Sequence, residues 1–331
     1  MKTLVSGIRP NGNLHIGHYF GILNTIKILQ NKYKCYCFIA NIHSLNNNKS
    51  SLIINQNIIK ITAQYLSIGL DPKLINIYLQ SSLKDVFELY YYLNINSSLN
   101  ELNKIKTFKE NLINNKKANL ATYTYPILMA SDILLQNADY VLIGKDQRQN
   151  LEITRKIARR FNAKYNTDFF KIPNMYINNN VPYILSLDGI NKMGKSLNSK
   201  YTIYLSDDYI TIENKIKKVV TNSNKTKCEV NNYNCASINN LFNLMKLFSH
   251  KSTYLYFMDS YKNNCISYYD MKIQLSKDIY NRIKNIQYKT NELINNKKYI
   301  IDIIKEGAYQ ARKSASKNIK EIRNIIGVKN L

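Results

Sequence analysis

Acidic side chains are in short supply: 22 Asp and Glu stand against 47 Lys and Arg, a formal charge of +25 over 331 residues. That balance argues against cationic partners and for phosphate-rich ones, because Lys and Arg attract phosphates and binding releases condensed counterions. The alternative source of the excess is coding bias, since 48 Asn and abundant Lys and Ile are what an AT-rich genome produces, and the two can coexist. The Asn runs at 46–48 and 178–180 then read as loop filler. No run of 18 apolar residues occurs, and the start, MKTLVSGIRP, has no signal-peptide core, so no membrane partner is expected and the expected location is cytoplasmic. The five cysteines, at 35, 37, 228, 235 and 265, form no CxxC pair. The odd count and the expected location favour reduced thiols over a disulfide framework. Cys228 and Cys235 lack the further ligands that a zinc or iron–sulfur site needs, so no protein-held metal is assigned. Tryptophan is absent, so the chain carries no indole of its own.

Glycine and proline are scarce and unevenly placed, with eight of the 10 Gly and all 5 Pro before residue 205. In that first part apolar bursts alternate with helical patterns. TLVSGI (3–8), CYCFIANIHSL (35–45), INIYLQSSL (75–83) and DYVLIG (139–144) read as buried strands. Residues 14–30 and 52–69 read as helices, the second with Ile58, Ile61, Tyr65 and Ile68 at helical spacing. The alternation argues for an α/β fold, a parallel sheet with crossover helices. Beyond 205 the text becomes long amphipathic helix, and residues 271–331 hold 14 basic against 5 acidic side chains.

Ligands of such a sheet sit beyond the carboxyl ends of its strands, where helices begin. The stretch SGIRPNGNLHIGHYFGIL, residues 6–23, lies at such a place and carries His15 and His18. Backbone N–H groups at a helix start attract anions and both imidazoles can donate, while Gly17 and Gly21 leave room for a flat base or ribose. Read alone, the motif also fits an ordinary polar helix start. A second motif, KMGKS at 192–196, follows the loop SLDGIN.

Together HIGH and KMGKS resemble the paired signature of class I aminoacyl-tRNA synthetases. The spellings SGIRPNGNLHIGHYFG, TYPILMASDILL and GKDQRQNLEITRKIARRF narrow the likeness to the bacterial tryptophanyl-tRNA synthetase family, over essentially the whole chain. The resemblance implies a Rossmann-like catalytic domain over 1–203 and a mostly α-helical, anticodon-binding domain over 204–331. It implies ATP-dependent activation of L-tryptophan to tryptophanyl-AMP and transfer to tRNA(Trp), with Mg²⁺ carried by the ATP, in a homodimer. His15, His18, Lys192 and Lys195 would be catalytic, holding phosphate oxygens and clamping the leaving pyrophosphate. Arg9, Gly17, Gly21, Gly144, Asp146, Ile184, Met193 and Ser196 would complete the ATP site together with His18 and the two lysines. His43, Tyr125, Met129, Asp132, Val141, Ile143 and Gln147 would bind tryptophan.

Without the resemblance Tyr125 and Met129 read as core, Asp132 as a capping or exposed carboxylate, and Asp146 as a helix N-cap. Tyr125, Met129 and Asp132 share one helical face. A carboxylate on an apolar stripe needs a donor, and the indole N–H, a donor only, is its complement. Three positions depart from the family pattern: Gly194 replaces the usual Ser, Asn111 stands where many relatives have Lys with Lys109, Lys116 and Lys117 as possible substitutes, and Arg9 replaces a frequent Gln. Alternatives are a tyrosyl-tRNA synthetase, a non-catalytic RNA-binding paralogue that keeps the fold, and a HIGH-containing nucleotidyltransferase that acts without tRNA.

Overall fold

The computed structural model describes residues 1–47, 50–105, 119–178, 184–194, 199–221 and 233–328. Five parallel strands form one sheet: β1 (Thr3–Ile8), β2 (Lys34–Ile39), β3 (Ile75–Leu79), β4 (Tyr140–Val141) and β5 (Asn174–Met175), in the order β3-β2-β1-β4-β5. The chain winds outward from β1 in one direction and then starts again at β4 on its other side. This places the topological switch point between β1 and β4.

The helices between strands begin with α1 (Ile16–His18), a π-helical turn (Tyr19–Leu23) and α2 (Asn24–Leu29), one continuous stretch where the sequence predicts a single helix. Then come α3 (Asn41–Ser44), α4 (Ser51–Ile68), α5 (Asp85–Ile95), α6 (Leu99–Leu102), α7 (Leu120–Tyr123), α8 (Tyr125–Leu134) and α9 (Arg148–Lys164). Caps explain their limits. The Ser50 hydroxyl accepts from the Ile53 N–H at the start of α4, and Gly69 ends it at φ +98°. The run 35–45, read as one strand, stops pairing at Ile39 and turns into α3. Asn41 draws the turn toward β3, its amide donating to Ser81 Oγ at 2.8 Å and accepting from Ser81 N at 3.1 Å. A continuous apolar run marks a buried segment but not where its ladder ends.

The helical part contains α10 (Tyr209–Lys217), α11 (Tyr233–Phe248), α12 (Lys251–Lys262), α13 (Tyr268–Asn295) and α14 (Lys297–Ile326). Alternation along the strands splits the core. Leu4, Cys35, Cys37, Ile39 and Ile77 face α2, α4 and α13, whereas Val5, Tyr36, Phe38 and Tyr78 face α5, α8 and α9. Helix α14 lies along the edge strand β3 and covers its unpaired side. Small residues make that approach possible: a Cβ on Gly307 would collide with the Ile77 backbone, and Ala308, Ala311 and Ala315 are buried beside it. Cys35 and Cys37 are free and buried, and burial pushes the Cys35 thiol up to about 11, which makes it an inert core residue.

Candidate active site

A cavity of about 880 Å³ opens at the β1/β4 switch point. Its lip is the HIGH segment. His15 caps α1 and is only 4% exposed, and its backbone N–H donates to His18 Nδ1 at 3.3 Å, with the ring centroids 3.8 Å apart. With Nδ1 accepting, His18 presents its Nε2–H as the outward donor. Gly21 lies in the π-helical turn, where a Cβ would point into open space. An added residue per turn of this kind is common where a helix has to re-aim its side chains at a site.

The second motif is brought to the first by backbone pairing. Ile16 N donates to Ile203 O at 3.1 Å and Leu205 N to Leu14 O at 2.8 Å. The loop ahead of KMGKS is a tight hairpin in which Leu185 pairs with Lys192 and Met193 N donates to Ile184 O at 3.2 Å. The Asp188 carboxylate closes its tip, accepting from Ser186 Oγ, the Ile190 and Asn191 amides and Asn191 Nδ2. Gly189 there adopts φ +75°. From this hairpin the Lys192 ammonium reaches Asp146, which also accepts from Gln147 Nε2 at 3.0 Å. Partial burial works against the Asp146 carboxylate, but the bonds from Lys192 and Gln147 outweigh it and hold its pKa below the ordinary range.

The inner arm of the cavity is apolar and aromatic. Tyr125 and Met129 project from α8, Val141 and Ile143 from the end of β4, and His43 from α3, its ring 4.2 Å from that of Tyr125. Burial pushes the Tyr125 phenol up despite the lowering effect of the Arg9 cation nearby.

Arg9, His15, Gly17, His18, Gly21, His43, Tyr125, Met129, Val141 and Ile143 all border this one cavity, as do Gly144, Asp146, Gln147, Ile184, Lys192 and Met193. Asp132 is placed differently. It is buried and does not itself border the cavity; its Oδ2 accepts from Gln80 Nε2 at 2.7 Å and lies 3.3 Å from His43 Nε2, close but not aligned as a hydrogen bond. Burial pushes the Asp132 carboxyl up, and the His43 and Gln80 contacts pull the other way. Lys195 and Ser196, together with Lys109, Asn111, Lys116 and Lys117, lie outside the described residues.

Sequence reasoning missed Gln80. It joins two of the expected residues, donating to Asp132 and accepting from the His43 N–H at 3.2 Å. The available signal was a polar residue just past the carboxyl end of a parallel strand, the position from which such sheets reach their ligands. Val5, Phe38 and Ile133, which also line the cavity, were missed because an apolar strand residue at a cavity looks like any core residue.

A parallel sheet that gathers HIGH and the first three residues of KMGKS, Lys192 to Gly194, around one cavity defines a class I aminoacyl-tRNA synthetase. The family model described as class I tRNA synthetases (W and Y) matches residues 1–284, and the chain belongs to that family. Within it, the chain is similar to the tryptophan–tRNA ligase of Porphyromonas gingivalis, with 41% identity over 330 residues that cover 99% of each chain. It is also similar to the solved tryptophanyl-tRNA synthetase of Campylobacter jejuni complexed with ADP and tryptophan, with a TM-score of 0.85, 32% identity, and coverage of 98% of this chain and 99% of that one. A tyrosyl-tRNA synthetase from Aeropyrum pernix, 17% identical with a TM-score of 0.67 and covering 90% of each chain, shares the fold alone.

Proposed function

We infer that the chain is a tryptophan–tRNA ligase: it activates L-tryptophan with ATP and transfers the tryptophanyl group to tRNA(Trp). The observation that carries this reading is full-length similarity to ligases of that name, combined with one cavity that has a cationic, histidine-edged mouth and an apolar, aromatic inner arm.

The residue roles follow from that layout. The tryptophan carboxylate attacks the α-phosphate in line, so the protein's work is positioning and neutralising charge. The His18 Nε2–H, with His15 beneath it, would donate to phosphate oxygens at the mouth, and Lys192, with Lys195 further along its loop, would neutralise the leaving pyrophosphate. Arg9 adds a cation to the same mouth. Asp146, now occupied by Lys192, is an acceptor for ribose hydroxyls, and its release would free the lysine for phosphate at the moment ATP binds. Gly17, Gly21, Gly144, Ile184, Met193 and Ser196 would frame the nucleotide, and Gln147 would meet the amino acid. His43, Tyr125, Met129, Val141 and Ile143 would hold the indole, with Asp132 accepting its N–H. A buried carboxylate with a raised pKa gains from one more donor, which supports that last role. Mg²⁺ would be bound through the ATP phosphates. The cationic side chains at the mouth complement the remaining phosphate charge.

We take 1–203 as the catalytic part and 204–331 as the part that binds the tRNA anticodon. Support for the second comes from exposed cations along α13 and α14, among them Lys277, Arg282, Lys284, Lys305, Lys313 and Lys320. A homodimer is supported by large apolar side chains exposed on α5, α6 and α7: Tyr91, Ile95, Leu99 and Leu120 are 60–74% exposed. Among the described residues no helix is long and apolar enough to cross a membrane, and we place the enzyme in the cytoplasm. A charging assay tests the reading. Labelled tryptophan should become acid-precipitable with tRNA(Trp) and ATP together, and not when either is omitted. Charging with tyrosine instead would overturn it.

A further inference from the structure

Strands β1 and β2 run side by side with Gly7 directly opposite Phe38. Both positions point to the sheet face that carries Val5, Tyr36 and Tyr78. A Cβ built on Gly7 would fall inside contact distance of three ring atoms of Phe38. The missing side chain at residue 7 is therefore what lets the Phe38 ring lean across β1. There the ring is 7% exposed and borders the large cavity, in company with Val5, Met129, Ile133 and Val141. Tyr78 packs beside it, ring centroids 6.0 Å apart and planes tilted by 35°, which limits the ring's freedom to swing away. The inner arm thus has two aromatic surfaces, the Tyr125–His43 pair and the Phe38 ring, set among aliphatic side chains.

We propose that Phe38 is a specificity-determining residue of this enzyme: seated over Gly7, its ring is the aromatic floor against which the substrate's indole packs, and the Gly7–Phe38 pair fixes the depth of the amino-acid pocket. This rests on the reading that places the indole in the inner arm. A flat, polarisable surface rewards a large aromatic substrate through offset or edge contacts and gives less to a small or aliphatic one. A floor at fixed depth also excludes rings enlarged by substituents, since a packed apolar wall has no room to give.

The test uses tryptophan-dependent ATP–pyrophosphate exchange on the full-length enzyme with Phe38→Leu, Phe38→Ala, Gly7→Ala and, as a control for the location of the pocket, Met129→Ala. Because the chain has no tryptophan, the fluorescence of bound tryptophan gives an independent affinity, and melting curves establish that each variant is folded. Phe38→Leu keeps most of the volume and loses the ring, so the tryptophan KM and Kd should rise by roughly 2–10-fold, the range of a lost aromatic contact, with the ATP KM unchanged. Phe38→Ala deepens the pocket, so 5-bromotryptophan should gain on tryptophan as a substrate. Gly7→Ala displaces the ring from above the strand and should raise the tryptophan KM in the same way. If Phe38→Ala does not fold, Phe38→Leu and Gly7→Ala still decide. Folded Phe38 variants with parental tryptophan affinity and selectivity would overturn the proposal while Met129→Ala still raises the tryptophan KM. If Met129→Ala is parental as well, the location of the pocket is wrong and the proposal falls with it.

Discussion

At Asp132 two physical demands meet. Burial disfavours its charge, and among the described residues it is met by the Gln80 amide, at 2.7 Å, and the His43 ring beyond it. Such a carboxylate is costly to keep as mere scaffolding and useful as a recognition group, because an indole N–H completes a set of bonds that the fold alone leaves short. A site built around one hydrogen-bond donor rejects analogues lacking it by roughly 10⁴–10⁵. Asp132→Ala should therefore cut kcat/KM for tryptophan by at least about 100-fold and narrow its advantage over phenylalanine, measured by amino-acid-dependent pyrophosphate exchange. Retention of parental selectivity would show that the carboxylate only orients His43 and Gln80.

Among the elements, α14 carries much of the architecture. It covers edge strand β3, and near its end Arg323 forms a two-pronged pair with Glu88 on α5, at 2.6 and 2.5 Å, while Tyr92 donates to the same carboxylate. Arg323 first, with help from Tyr92, holds the Glu88 carboxyl below its usual range even though burial opposes this. A depressed folded-state pKa gives stability that is present above the unfolded value of about 4.3 and is lost as pH falls through the lower folded value. Glu88→Gln should thus cost about 1 kcal/mol at pH 7, discounted for partial exposure, and its melting temperature should converge on the parent's as pH falls through the lowered folded-state value. A constant gap would mean that the pair contributes through packing instead. This tie was not legible in the sequence, because its partners are 235 residues apart and nothing local marks them. What could be read were features with a local cause. The strand β1 and the helix α4 follow from burial period and caps, and both signature motifs from their spelling, whereas the runs 75–83 and 139–144, read whole as strands, pair only over Ile75–Leu79 and Tyr140–Val141. Where the cause is tertiary the reading went astray: the strand at 35–45 ends early because Asn41 bonds to Ser81, and the first helix contains a π-helical turn at Tyr19–Leu23 that periodicity over so few residues does not reveal. The site was legible as a set of residues but not as the bonds among them. The i, i+4, i+7 pattern puts Asp132 on the same face as Tyr125 and Met129, but does not reveal the bond to Gln80 or the contact with His43 that it makes one further turn along α8.

For the molecule as a whole, the question is whether the charge of +25 is used. If the cations of α13 and α14 meet tRNA phosphates, the logarithm of the binding constant for tRNA(Trp) should fall linearly with the logarithm of salt concentration, with a slope of about −0.7 to −0.9 per phosphate neutralised. A flat response would assign the excess to coding bias. The central claim, that this cavity activates tryptophan, meets its most direct test in ATP–pyrophosphate exchange run separately with each of the 20 standard amino acids. Tryptophan should support rapid exchange and the others, tyrosine included, should remain near background. Exchange driven by tyrosine, or by no amino acid at all, would contradict the account.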